Sequence, residues 1–277
     1  MAALAFLAAG AGCAGAQGTG GGAAAAGVPK VYMFEEINSE NLVKIYEVLG
    51  REASGKVAVK LSTGEPGGHN YLQPALIENL VRRVNGTIVE CNTAYGGGRA
   101  DTEAHRRAAE EHGFTAIAPV DIMDAEGTVA LPVQNGKWFS KMYMGKNILN
   151  YDSLLVLTHF KGHTQGGFGG SNKNIGIGCA DGRIGKAMIH TTPGSEDMWD
   201  IKKEEFMERM TESAKAVVDH FGDHIQYINV LRNMSVSCDC EGVDAEPVVT
   251  PNIGILASSD ILAIDQASVD LIYALSE

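Results

Sequence analysis

Histidines and lysines cluster where one predicted strand ends. The apolar run LLVL at residues 154–157 is typical of a strand that is buried on both faces, and THFKGH follows it directly. Lys173 and His190 come next, after a turn rich in glycine. Imidazoles transfer protons near neutral pH or bind a borderline metal, and a deprotonated lysine is a nucleophile. We therefore predict an active site in this segment, with His159 and His163 as its catalytic histidines.

The glycines of this segment favour close contact between backbone and ligand. Gly167, Gly169 and Gly170 lack a Cβ atom, so we expect them to line a cofactor site. The segment GFGG is neither the GxGxxG dinucleotide motif nor a P-loop, and no HExxH zinc motif is present. The alternative is a glycine-rich turn with ordinary histidines and a solvated lysine.

Two further polar loops follow predicted strands. His69 lies in the loop STGEPGGHNY, and Tyr95 and Arg99 lie in the loop NTAYGGGR. Because the carboxyl ends of parallel strands meet at one edge of a sheet, we expect both loops to converge on the histidines. Arg99 is a candidate clamp for a carboxylate or phosphate, since its planar group binds two oxygens at once, and the alternative is a surface arginine that opens a helix.

The cysteines offer a second type of chemistry. The chain has five cysteines but no CxxC motif, so neither a thioredoxin motif nor a zinc ribbon fits. Cys238 and Cys240 flank one aspartate, an arrangement that suits a soft metal or a redox pair. Two packed cysteines in a turn are the alternative.

Strands and helices alternate along most of the chain. Predicted strands end before each of the loops above, and further strands are predicted at Ala116–Met123 and Thr128–Val133. Amphipathic helices are predicted near 39–52, 73–84, 101–112, 201–220 and 260–275. This order predicts an α/β fold with a mostly parallel sheet, helices on both faces and the site at the carboxyl ends of the strands. No segment of the sequence is a convincing linker, so residues 28–277 are predicted to form one domain.

Residues 1–27 differ in composition from the rest of the chain. A short apolar run leads to GAGC at Cys13, and a tract of glycine and alanine follows. This pattern is similar to an export signal with a lipoprotein attachment site and a flexible tether, which predicts an exported, lipid-anchored protein whose first 27 residues have no ordered hydrogen-bonded partner. A disordered cytoplasmic extension is the alternative. The net charge of −12 and the absence of a basic run argue against a nucleic-acid partner.

Several segments together resemble a known family. LTHFKGHTQGGFGGSNKNIGIGCADGRIGKAMIH, VKLSTGEPGGHNYLQPALIENLV, ECNTAYGGGRADTEAH, CDCEG and GILASSDILAIDQASVDL are similar to the bacterial and archaeal domain of unknown function family numbered 362, from about residue 30 to 277. Many members carry a ferredoxin-like insertion with iron–sulfur clusters. Residues 191–203 contain no cysteine here, so no 4Fe–4S cluster is expected.

A more distant, local resemblance is to the lactate racemase family. Members use a nickel-pincer nucleotide, and their site has a histidine, a GFSGG-like turn, a lysine and a later histidine. His163, Lys173 and His190 match in order. The resemblance implies that His163 is an acid/base, that Lys173 holds the cofactor covalently and that His190 binds nickel.

The sequence is compatible with three functions. The first is an enzyme that uses a metal or nucleotide-like cofactor to act on a small hydroxy acid or a related anion, by racemase-like acid–base chemistry. The second is an exported protein that binds a metal or anion, or handles a cofactor, without turnover. The third is a redox protein that uses Cys238 and Cys240.

Overall fold

The computed structural model describes residues 4–7, 28–192, 194–195, 197, 199–237 and 239–276. Its centre is an eight-stranded sheet in the order β1-β2-β12-β11-β8-β3-β4-β5. The strands of this sheet are β1 (Leu4–Leu7), β2 (Lys30–Phe34), β3 (Val57–Lys60), β4 (Gly86–Glu90), β5 (Val120–Ile122), β8 (Ser153–His159), β11 (Ile225–Leu231) and β12 (Gly254–Ser258). From β11 to β5 all neighbours are parallel, while β12, β2 and β1 pair antiparallel. The predicted mostly parallel sheet is confirmed.

Two small hairpins complete the set of strands. β6 (Thr128–Pro132) pairs with β7 (Lys141–Gly145), and β9 (Lys161–His163) pairs with β10 (Gly167–Gly169). The second hairpin follows β8 directly. It therefore stands at the carboxyl edge of the parallel strands, where open α/β sheets place their ligands.

Helices cover both faces of the sheet, as the alternating pattern predicts. They are α1 (Ser39–Val48), α2 (Pro74–Arg83), α3 (Thr102–Glu111), α4 (Ser171–Gly176), α5 (Gly185–His190), α6 (Lys203–Phe221) and α7 (Ile261–Tyr273). α1 and α2 pack on one face, and α4 to α7 pack on the other. Side chains alternate between the faces, so Val59 of β3 points towards α1 and α2, while Ala58 points towards α4 to α7. By the same alternation Lys60 belongs to the α4 face.

Three predicted features differ from the structure. α4 and α5 are short helices inside the segment that the sequence presents as a glycine-rich turn. The strand predicted from Ala116 to Met123 is shorter, because a 3-10 turn occupies Phe114–Ala116. β1 pairs with Lys30–Met33, contrary to the expectation of no ordered partner for the first 27 residues. The reason is that β2 would otherwise present an open edge to which a short apolar segment can bond.

Within the part of the chain that the structure describes, helices are too short or too polar to cross a bilayer.

Candidate functional site

A cavity of about 220 Å³ opens at the carboxyl edge of the parallel strands. The loops that follow β3, β4 and β8 meet here together with α4 and α5. Thr93 and Tyr95 also line a second depression of about 350 Å³, which is bounded by Gly96, Gly97 and Gly98. The two hollows therefore adjoin at Tyr95, and a ligand larger than a simple acid could extend from one to the other.

The cavity is lined mainly by basic side chains. Among the described residues that line it are four lysines, one arginine and three histidines, against the single carboxylate of Glu90. They are Lys60, Lys161, Lys173, Lys186, Arg99, His159, His163 and His190. A partly enclosed cavity of this composition favours an anionic ligand.

His163 lies in the hairpin that follows β8 and is held by its own turn. The backbone N–H of Gly166 donates to His163 Nδ1 at 2.9 Å, and the ring stacks on Phe206. Because Nδ1 accepts this hydrogen bond, the neutral ring carries its hydrogen on Nε2. His163 can therefore donate a proton or hydrogen bond from Nε2.

His159 has the same arrangement of ring nitrogens, fixed by a contact at the other nitrogen. Its Nε2 lies 2.6 Å from the carbonyl oxygen of Arg232, and a carbonyl only accepts, so Nε2 carries the hydrogen. The acceptor atom of the neutral His159 ring is consequently Nδ1. His159 and His163 thus both carry their hydrogen on Nε2 when neutral, and they differ in which nitrogen the protein holds, Nε2 in His159 and Nδ1 in His163.

His190 ends α5 and is buried against Tyr95 and Phe206. Its Nδ1 donates to the carbonyl oxygen of Lys186 at 2.8 Å, so Nε2 accepts from the Tyr95 hydroxyl at 2.9 Å. Burial lowers the pKa of His190 to about 4, and this outweighs the backbone hydrogen bond, which raises it. At neutral pH His190 is an uncharged imidazole with a fixed tautomer, which is the form that binds a metal.

Lys60 and Lys186 are buried lysines that the sequence does not single out. Lys60 is 1% exposed and Lys186 is 2% exposed, yet both line the cavity. Lys60 Nζ donates to the carbonyl oxygen of Leu61 at 2.6 Å and to Asn174 Oδ1 at 3.0 Å, and Lys186 Nζ donates to the carbonyl oxygen of Ala180 at 2.6 Å. The sequence VAVK at residues 57–60 does not indicate that Lys60 is buried, because the residues that bury it belong to α4 and its neighbourhood, far along the chain.

α4 places Lys173 beside the cavity, and a distant aspartate fixes this short helix. Asp265 of α7 accepts from the backbone N–H groups of Ser171 and Asn172 at 2.8 and 2.9 Å. Asn174 joins the same helix to the sheet, since its Nδ2 donates to Thr158 Oγ1 at 3.0 Å. Lys173 is half-buried and lines the cavity.

Arg99 lines the cavity but already binds two internal carboxylates. Its Nε lies 2.9 Å from Glu65 Oε1, and its Nη1 lies 3.1 Å from Glu90 Oε1. Glu90 also accepts from Thr63 and from His105, whose Nε2 is 3.1 Å away. Burial alone would raise the pKa of Glu90, but the charge of Arg99 and the hydrogen bond from His105 hold it well below its usual range. Arg99 therefore connects the two loops that form one wall of the cavity.

The predicted site residues fall into three groups. Tyr95, Arg99, His159, His163, Lys173, His190, Gly169 and Gly170 line the one cavity. His69 is exposed and lies in a separate small depression beside Gly64 and Tyr71, because its loop turns away after Ser62, and Gly167 is exposed at the tip of the hairpin. Cys238 lies outside the described residues, and the side chain of Cys240 is not described either.

The described residues contain no cluster of three histidine, cysteine, aspartate or glutamate side chains arranged to hold a metal. His190 is thus the single predicted metal ligand with a described environment that suits the role. The described part of the site has a basic lining that suits an anion, an N–H group on His163 that can donate a proton and one neutral imidazole, His190.

Two solved structures have a related fold at low identity. The lactate racemase apoprotein from Thermoanaerobacterium thermosaccharolyticum has a TM-score of 0.47 and 15% identity, covering 84% of this chain and 55% of its own. A protein from Thermotoga maritima has a TM-score of 0.49 and 13% identity, covering 85% of this chain and 58% of its own. The chain thus spans a little over half the length of each, and similarity at this level assigns no function. No curated protein matches the chain in sequence.

The family is shown by the sequence itself. The family model of the domain of unknown function DUF362 matches residues 57–270, which include every strand that borders the cavity and all the basic residues that line it. The chain therefore belongs to the DUF362 family.

Proposed function

We propose that this protein is an enzyme that binds a small anion, such as a hydroxy acid, together with a phosphate-bearing cofactor. The observation on which this rests is the basic lining of the cavity, above all the buried lysine Lys186. Burying a cation costs free energy unless a partner compensates it, and a bound anion would do so here. A volume of about 220 Å³ suits a small acid.

The residues present fit a cofactor of the nickel-pincer kind in two respects. His190 offers a neutral imidazole, and Lys173 lines the same cavity as a potential point of covalent attachment. The adjoining depression beside Gly96 and Gly97 gives additional room for a nucleotide portion. When bound, such a group supplies a Lewis acid that polarises an oxygen of the substrate.

The remaining chemistry belongs to side chains of the chain itself. Lys186 would attract the substrate carboxylate, and Tyr95 would hold His190 in its fixed tautomer through the hydrogen bond at 2.9 Å. His163 would donate a proton from Nε2, while His159 would accept one at Nδ1. One histidine that donates and a second that accepts suit a reaction that removes a proton on one side and returns it on the other.

Anion binding can be measured through tryptophan fluorescence. The chain has two tryptophans, and Trp199 lines the cavity, so Trp138→Phe leaves one reporter at the site. In that background we expect lactate and pyrophosphate to change the emission. Lys186→Met should weaken the binding about tenfold or more, because a charge-assisted hydrogen bond contributes about 1.5–3 kcal/mol. The control is Lys215→Met, since Lys215 is exposed on α6 and pairs with Asp219.

Turnover is tested separately with protein purified from its native host. In deuterium oxide, the enzyme should exchange the hydrogen on the hydroxyl-bearing carbon of its substrate, and His163→Gln should abolish this exchange. Binding without exchange would contradict an enzyme and support a binding protein. Absence of both binding and exchange would contradict the anion site itself.

A further inference from the structure

Lys60 occupies a place where a lysine is unusual. It ends β3, a central strand of the sheet, and lies on the face that α4 covers. The segment that follows α4 approaches so closely that a Cβ atom at Gly178 would lie 2.5 Å from Lys60 Nζ. The side chain is thus enclosed by protein everywhere except towards the cavity that it lines.

The hydrogen bonds of Lys60 match those of an uncharged amine. A neutral amine has two N–H groups and one lone pair, and Nζ has two acceptors, the Leu61 carbonyl oxygen and Asn174 Oδ1. With both hydrogens engaged, the lone pair is left for a ligand in the cavity.

The net effect of the surroundings of Lys60 is to favour its uncharged form. Burial lowers the pKa of Lys60, and the neighbouring charge of Lys186 lowers it further. Glu90 acts in the opposite sense, as do Cys179 and Cys91 to a smaller extent, but burial dominates. Glu90 is already engaged with Arg99 and His105, so it does not form a direct ion pair with Lys60.

We propose that Lys60 is an amine nucleophile that condenses with the carbonyl group of a small 2-oxo acid bound in the cavity. The nitrogen lone pair attacks the carbonyl carbon and a C–N bond forms. The carbonyl oxygen then leaves as water with the two amine hydrogens, so that C=N replaces C=O and nothing is oxidised or reduced. Proton uptake gives the nitrogen one N–H group, which the Leu61 carbonyl oxygen can accept.

A 2-oxo acid also has a carboxylate, whose charge matches the basic lining of the cavity. Lys186 lines the same cavity and carries a charge that attracts a carboxylate next to the reacting carbonyl. A simple aldehyde lacks that group and should react less well. This activity goes beyond the proposed function, because it needs neither a cofactor on Lys173 nor a metal on His190.

The test traps the condensation product in the full chain. The protein is incubated at neutral pH with pyruvate and cyanoborohydride, which reduces C=N to a stable amine, and the modified lysines are found by peptide mapping. An ordinary exposed lysine has a pKa near 10.4 and is almost entirely charged at this pH. We therefore expect Lys60 to be modified at least ten times faster than exposed lysines such as Lys215. Acetaldehyde at the same concentration should modify Lys60 at least tenfold more slowly than pyruvate.

Two variants assign the reaction to its residue. Lys60→Met keeps most of the length of the side chain but removes the amine, so the rapid modification should disappear. Lys215→Met, at an exposed lysine of α6, should leave modification of Lys60 unchanged. The reaction is run without added metal or cofactor, which separates this proposal from the cofactor proposal. Modification of Lys173 or of exposed lysines in preference to Lys60, or equal rates with acetaldehyde and pyruvate, would overturn the inference. Mapping of the unmutated protein gives this answer even if Lys60→Met fails to fold.

Discussion

The Arg99 cluster gives a prediction that separates two roles for one residue. As a substrate clamp, Arg99 could be replaced with little effect on folding. In the structure its guanidinium lies 2.9 Å from Glu65 and 3.1 Å from Glu90, and all three side chains are nearly inaccessible to solvent. Arg99→Gln would leave two buried carboxylates without their cation. We therefore expect a large loss of stability in the absence of any ligand.

The size of this loss follows from the number and burial of the contacts. Removing one partner of a buried ion pair costs about 3–5 kcal/mol, because the other charge stays buried and uncompensated. For a domain of this size each kcal/mol lowers the melting temperature by about 2–4 °C. Arg99→Gln should accordingly lower it by about 10 °C. Glu90→Gln in the same background should cost much less than it does alone, because the two residues share one interaction.

The assay is thermal unfolding of the ligand-free protein, followed by circular dichroism. Arg82→Gln is the matched control, since Arg82 pairs with Glu78 at 2.7 Å on an exposed helix surface. That pair should contribute less than about 0.5 kcal/mol. If Arg99→Gln has the same melting temperature as Arg82→Gln, the Arg99 cluster does not hold the two loops together.

Two further predictions concern His190 and two glycines that precede α4. The ordinary pKa of a histidine is 6.5, and the pKa of His190 in the folded protein is about 4. At a pH between these two values, His190 binds a proton in the unfolded chain but not in the folded one. The free energy of unfolding should therefore fall as pH falls through this range, by up to about 3 kcal/mol more than in His190→Gln. Denaturant unfolding at several pH values measures this, and the same pH dependence in both proteins would refute it. Gly170→Ala should be more destabilising than Gly167→Ala in denaturant unfolding, because its Cβ would lie 2.6 Å from Asp265 Cγ, whereas a Cβ at Gly167 meets nothing within 4 Å. The alanine at 167 should cost only about 1 kcal/mol for its positive φ, and equal effects would contradict the role of Asp265.

Local sequence patterns predict the sheet well because its central strands are short apolar runs that end in polar loops. LLVL at residues 154–157 lies within β8, and the loops after β3, β4 and β8 reach the same edge as their parallel order requires. The prediction that Tyr95 and His163 converge depends only on that order. It did not require knowledge of any individual contact.

Other parts of the site depend on contacts between residues far apart in the chain. α4 begins at a glycine-rich segment, and the carboxylate that fixes its first turn belongs to Asp265. Lys60 and Glu90 each end a strand and could equally have faced solvent, but α4 covers the first and Arg99 binds the second. Hydrophobic periodicity contains no information about such partners.

The most direct test of the proposed function is the intact mass of the full chain purified from its native host. We expect a mass excess that maps to Lys173, and a stoichiometric transition metal in elemental analysis. Both should be lost from Lys173→Arg expressed in the same host. His190→Gln should keep the mass excess and lose the metal. An unmodified mass together with a metal-free protein would contradict a covalent cofactor at this site.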